Sequence, residues 1–239
     1  MEYTLYVAVV LALLLSLFAQ IYVSSTFRRY SRMTSFSAQR AEDVARYVLD
    51  EAGCQDVTIE RVHGSLTDHY DPRTKTLRLS DSTYGNASAA AIGVACHEAG
   101  HAIQHRENYF PVRVRSALVP VTNFVSRFWS VFIIISMIFL LFVPNTTMPG
   151  ASSFGYYFLL CGIGVFSVNT VFQLVTLPCE FDASRRALGA MRRTGYFDSH
   201  EVGVAKKVLS AAAMTYIASA LVSVLHLLRL ISIARRGRR

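Results

Sequence analysis

The 239-residue chain is short of charge: only 17% of it is Asp, Glu, Lys or Arg, against 52% hydrophobic residues. With a mean hydropathy of +0.34, that balance excludes an ordinary soluble globular protein. Acidic residues are the scarcer sign, 16 against 24 basic, for a net charge of +8. No aromatic-basic platform accompanies the excess, and the basic residues flank apolar runs, so nucleic acid is not an expected partner. The four cysteines, Cys54, Cys96, Cys161 and Cys179, contain no CxxC spacing. On a cytosolic face they read as reduced, structural thiols.

What the chain does have is long apolar runs, at about 3–24, 126–143, 153–177 and 208–228. A bilayer core takes about 20 apolar residues in a helix, so the first and third suffice and the second is marginal. The run from Tyr3 to Ser24 is longer than a signal-peptide core, and its basic residues follow it, which makes it a retained anchor. The fourth opens with the small residues Ala211 to Ala220 and turns strongly apolar from Leu221. Its hydrophobicity favours a span, although the basic tail would then end outside. The other reading is a partly buried helix that ends at the membrane surface.

Arg28, Arg29 and Arg32 follow the first run, Arg106, Arg113, Arg115 and Arg127 precede the second, and Arg185, Arg186, Arg192 and Arg193 follow the third. The link Pro144 to Ser152 carries no charge. This asymmetry predicts an outside N-terminus with the basic segments in the cytosol. The expected organisation is an N-terminal transmembrane anchor over 1–25, a cytosolic domain over 26–125 and a transmembrane hairpin over 126–177. A cytosolic segment over 178–207 and a C-terminal apolar helix with a basic tail over 208–239 complete it. The lipid bilayer is therefore an expected partner.

Within 26–125, Ser35 to Gly53 reads as an amphipathic helix with a glycine stop. Val57 to His63 and Lys75 to Ser80 alternate as strands, with a turn at Asp71 to Thr74. A further helix begins near Asn86 or Ser88, both good caps, and runs to about His105. The fold class is a mainly α integral membrane protein with a small α+β, zincin-like cytosolic domain and three to four transmembrane helices.

That last helix carries His97-Glu98-Ala99-Gly100-His101, an HExxH motif. Residues four apart share a helix face, so His97 and His101 can hold one zinc ion, with Glu98 placed as general base on a water the metal activates. A catalytic zinc takes three protein ligands. His105, His63, His69 and a carboxylate are the choices for the third. His105 would lie about 12 Å along the axis from His97, too far for one ion. Glu180 is preferred, because a membrane hairpin returns the chain to the face it left. Asp182 lies close by for a contact to a ligating histidine. Cys96 and Cys179 adjoin ligand candidates, but helix neighbours point about 100° apart. Tyr216, His200 and His69 are candidates for stabilising charge on the scissile carbonyl oxygen.

Four stretches, Leu66–Ser80, Ala95–Gln104, Leu177–Ser184 and Ala211–Tyr216, together resemble the YugP-like neutral zinc metallopeptidases, small membrane proteins of the Glu-zincin group. The resemblance implies one zinc ion per chain bound by His97, His101 and Glu180, with Glu98 as catalytic base. The reading is a hydrolase acting on polypeptides, unfolded or close to the membrane, with the basic-residue asymmetry putting its site at the cytosolic face of a prokaryotic cell membrane. The chain is also distantly similar to peptidases of the HtpX type, which follow HExxH with Glu-x-x-x-Asp; here Ser184 stands at that Asp. By analogy with zincins, Thr76–Ser80 is either an edge strand that pairs with substrate or an internal strand. Competing readings are a site-2-type intramembrane protease, disfavoured by the charges following the motif, and a zinc-dependent scaffold or holdase, which would have no use for Glu98.

Overall fold

The computed structural model describes residues 2–35, 38–143 and 150–236. The chain is mostly helical, in the order α1 (Glu2–Tyr30), α2 (Ala41–Glu51), β1 (Thr58–Val62), β2 (His69–Asp71), β3 (Thr76–Ser80), α3 (Ala89–Arg106), α4 (Phe110–Val125), α5 (Trp129–Leu141), α6 (Ala151–Thr194) and α7 (Ser199–Arg236). It forms two compact units. One comprises Met1–Ser16, Val114–Thr176 and Ile217–Arg239; the other comprises Leu17–Arg113 and Leu177–Tyr216.

In the second unit, α2 buries Ala41, Val44, Ala45, Val48 and Leu49, one stripe at helical spacing. Gly53 ends it at φ +71, in the left-handed region that glycine enters without penalty. The helix starts at Ala41, not Ser35. Arg40 is extended, Thr34 forms a bridge to Ser88, and Ser35 donates its N–H to the Ala87 carbonyl at 2.9 Å. The backbone that would have opened the helix is committed to that contact; Phe36 and Ser37 lie outside the described residues.

The sheet has the order β1-β3-β2, with β1 parallel and β2 antiparallel to β3. Thr76–Ser80 is therefore the central strand, and every residue but Arg78 is buried. It is not an edge strand; the free edges belong to β1 and β2. Only two strands were expected, because the three residues of β2 carry too little alternation to read.

The helix α3 is capped by Ser88, whose side chain accepts from the Ala91 N–H at 3.2 Å. Its small residues allow close approach. A Cβ on Gly93 would lie 2.8 Å from Ala205 Cβ of α7, and one on Gly100 would lie 2.9 Å from the Ala183 carbonyl oxygen of α6. Gly100 stands between the two histidines of the motif, so its missing side chain is what brings α6 against them.

In the other unit, α5 runs antiparallel to α6. Phe139 pairs with Phe154 and Phe132 with Phe158, and Gly155 and Gly162 bring α6 close to Leu140 and Ile133. Residues 144–149 of the uncharged link, where the hairpin is expected to turn, lie outside the described residues. Among the described residues, three helices are long and apolar enough to cross a membrane: Tyr3–Tyr30, Ser152–Thr194 and Ser199–Arg235. The expected span near 126–143 differs. Helix α5 has 13 residues, about 20 Å at 1.5 Å per residue, short of a core about 30 Å thick. It meets the criterion only together with α4, across a 40° bend. Of the basic tail, Arg238 and Arg239 lie outside the described residues.

Candidate metal centre

His97 and His101 stand one turn apart on α3, their ring centroids 4.8 Å apart and their planes almost perpendicular. Glu180, 2% exposed on α6, completes the group. One ligand atom from each residue lies within 4.8 Å of the other two, the only such group of three among the described residues. Glu180 Oε2 is 3.2 Å from His97 Nε2 and 3.5 Å from His101 Nε2. With ligand bonds of about 2.0–2.2 Å, the donor atoms of a tetrahedral zinc site stand about 3.3–3.6 Å apart. The two nitrogens and the oxygen fit zinc in kind and in spacing.

Burial opposes ionisation of Glu180, but hydrogen bonding and charge from His101 and His97 outweigh it and hold the carboxyl well below its ordinary range. Glu98, next to His97, is 9% exposed. It has no hydrogen-bond or ion-pair partner among the described residues.

Behind the histidines lies a polar layer. Ser184 Oγ is 3.1 Å from His97 Nδ1. His101 Nδ1 is 3.0 Å from Gln104 Oε1, and the Gln104 amide donates to the Cys179 carbonyl at 2.8 Å and to Asp182 Oδ2 at 2.9 Å. Asp182 was expected to touch a ligating histidine. It reaches His101 only through Gln104, because its oxygens are also held by Arg185 and by Arg186 Nε, the latter at 2.5 Å. Burial again opposes ionisation, and the bonds from Gln104, Arg186 and Arg185 outweigh it to lower the pKa of Asp182. Arg186 also binds Glu107 at 2.7 Å, which ties α6 to the end of α3.

The remaining candidates are dispersed. His63 is fully exposed and pairs with Asp81 at 2.8 Å. The His105 ring lies 5.7 Å from the Tyr70 ring, tilted by 52°. His69 is exposed, its Nδ1 2.9 Å from the Thr67 carbonyl, and His200 is exposed at the start of α7. Tyr216 is half-buried on α7. Gln104 was missed by sequence reasoning, although a residue three after His101 on a helix lies on the same face.

The profile of a family described as "Putative neutral zinc metallopeptidase" matches residues 5–235. The chain is 42% identical over 227 residues to "Putative membrane protease YugP" of Bacillus subtilis (strain 168), covering 95% of each chain. No solved structure matches.

Proposed function

The chain belongs to this zinc metallopeptidase family, and from that premise we propose that it is a membrane-anchored, zinc-dependent metalloendopeptidase with His97, His101 and Glu180 as ligands and Glu98 as general base. The observation that carries the reading is the convergence of the three ligand atoms from α3 and α6. Zinc held there supplies Lewis acidity and lowers the pKa of water towards neutrality. Glu98 takes the proton from the water as its oxygen attacks the scissile carbonyl carbon. The same carboxyl then delivers that proton to the leaving nitrogen as the C–N bond breaks. Gln104 and Ser184 hold the two imidazoles so that each Nε2 faces Glu180.

Substrate strands pair with a sheet edge, and with β3 enclosed, the edge nearest in sequence to the motif is that of β2. Expected substrates are unfolded or membrane-proximal polypeptides. The position of Glu180 beside the histidines supports a path in which the chain leaves and returns to one membrane face between them. If the apolar part of α6 crosses once, α4 and α5 together supply the other crossing. Arg28, Arg29, Arg185, Arg186, Arg192 and Arg193 lie on the segments bordering the site, which favours the cytosolic face.

The test is proteolysis of an unfolded protein by the detergent-purified full chain and by Glu98→Gln. Cleavage by the wild type that falls at least about a hundredfold in Glu98→Gln, with zinc retained, supports the base assignment. Equal cleavage by both proteins overturns it.

A further inference from the structure

The unit built from Met1–Ser16, Val114–Thr176 and Ile217–Arg239 holds seven arginines, no lysine and no aspartate, and Glu2 is its one acidic residue. Its arginines have almost no carboxylate within the unit to neutralise them. Arg229 stands in the apolar part of α7, between Leu228 and Leu230. A charged side chain in such a run is costly, and it settles where its head can reach polar groups.

The Arg229 guanidinium lies over the Tyr6 ring of α1, 5.2 Å from the ring centroid. The ring attracts the cation but leaves the fork of five N–H donors unfilled. That contact apart, Arg229 has no hydrogen bond or ion pair among the described residues. Around the pair is a cavity of about 410 Å³, lined by Tyr3, Leu5 and Tyr6 of α1 and by Arg229, Ser232 and Ile233 of α7. Ser232, three residues after Arg229 and so on the same helix face, adds a hydroxyl. Tyr3, Tyr6, Val10 and Leu13 recur at helical spacing and are all exposed, so an apolar track leads from the cavity along α1. The cavity therefore offers a cation and a hydroxyl beside an apolar path.

We propose that this cavity binds one anionic phospholipid, with its phosphate on Arg229 and Ser232 and an acyl chain along Val10 and Leu13. A phosphodiester accepts two parallel N–H bonds from a guanidinium, and the Tyr6 ring fixes where that guanidinium stands. A zwitterionic headgroup would bring a second cation to a cavity whose lining has no carboxylate to receive it. Tyr3 and Tyr6 suit headgroup level, where tyrosine rings concentrate. A free anion would use the cation but not the apolar track. The inference is independent of the protease reading.

The test is native mass spectrometry of the detergent-purified full chain, titrated with phosphatidylglycerol or phosphatidylcholine. One phosphatidylglycerol is expected to bind about tenfold more tightly than phosphatidylcholine. Soluble glycerol 3-phosphate at equal concentration should not displace it. Arg229→Gln should abolish the preference, and Arg229→Lys should keep part of it. Tyr6→Leu should weaken it, and Tyr6→Phe, which keeps the ring, should not. Arg235→Gln removes the same charge from an exposed position outside the cavity and should leave the preference unchanged. That control separates a site from general attraction to a basic surface, and a thermal melt checks that each variant is folded. A preference that survives in folded Arg229→Gln, or falls equally in Arg235→Gln, overturns the site. Displacement by equimolar glycerol 3-phosphate overturns the lipid assignment.

Discussion

Gln104 Oε1 lies 3.0 Å from His101 Nδ1, and the other end of the same amide faces two oxygens, those of Cys179 and Asp182. Two acceptors on one side leave only the NH2 group there, so the carbonyl oxygen must face His101. His101 then donates from Nδ1 and keeps the lone pair on Nε2 for a metal. Because one acceptor is a main-chain carbonyl, no neighbouring side-chain substitution releases this lock. Gln104→Leu should weaken zinc binding by about 10–100-fold in a chelator competition. Gln104→Glu should also weaken it, since its carboxylate would face Asp182 and the Cys179 carbonyl. Unchanged affinity in Gln104→Leu would show that the bond does not orient the ligand.

Ser184 plays the lighter part on His97, as a neutral hydroxyl at Nδ1. Ser184→Ala should cost less zinc affinity than Gln104→Leu in the same titration. Ser184→Asp, which places a charged acceptor at that nitrogen, should bind zinc at least as tightly as the wild type. A loss in Ser184→Asp larger than in Ser184→Ala would contradict the contact.

Gly100 sets the distance between α3 and α6. A Cβ there would press on the Ala183 carbonyl oxygen, and backbone cannot rotate aside as a side chain can. Gly100→Ala should cost about 1–3 kcal/mol in a thermal or denaturant melt, and the shift of α6 should lower zinc affinity with it. Gly203 of α7 is the control. A Cβ there meets nothing within 4 Å, and removing a helix glycine should leave stability equal or higher. A neutral Gly100→Ala would mean the helices tolerate a wider spacing.

Much of this arrangement is legible in the chain, for local reasons. The α2 stripe, the Gly53 stop and the Ser88 cap are properties of consecutive residues, and each appears where its spacing placed it. HExxH is legible because one helix holds both histidines. Glu180 needed a topological argument, since it lies on another helix beyond the apolar hairpin. The start of α2, the strand β2 and the Arg186–Glu107 pair depend on partners far along the chain, which no local pattern encodes. Gln104 lies between these cases: its position on the histidine face was readable, while its two acceptors on α6 were not.

The cysteines give an independent check on packing. Cys54, Cys96 and Cys179 are buried, and Cys161 is exposed. Burial pushes the Cys96 thiol up to about 12, which keeps the reactive thiolate scarce at pH 8. A thiol reagent applied to the native protein in detergent at pH 8 should leave Cys54, Cys96 and Cys179 unmodified and should reach them after denaturation. Rapid native labelling of Cys96 would mean that α3 is not packed as described.

The central claim is that α3 and α6 jointly hold a metal ion, and elemental analysis of the detergent-purified full chain tests it most directly. About one zinc ion per chain in the wild type, lost in Glu180→Ala while the protein stays folded, is the predicted result. Absence of zinc from the wild type after growth with zinc, or full retention in Glu180→Ala, would contradict it.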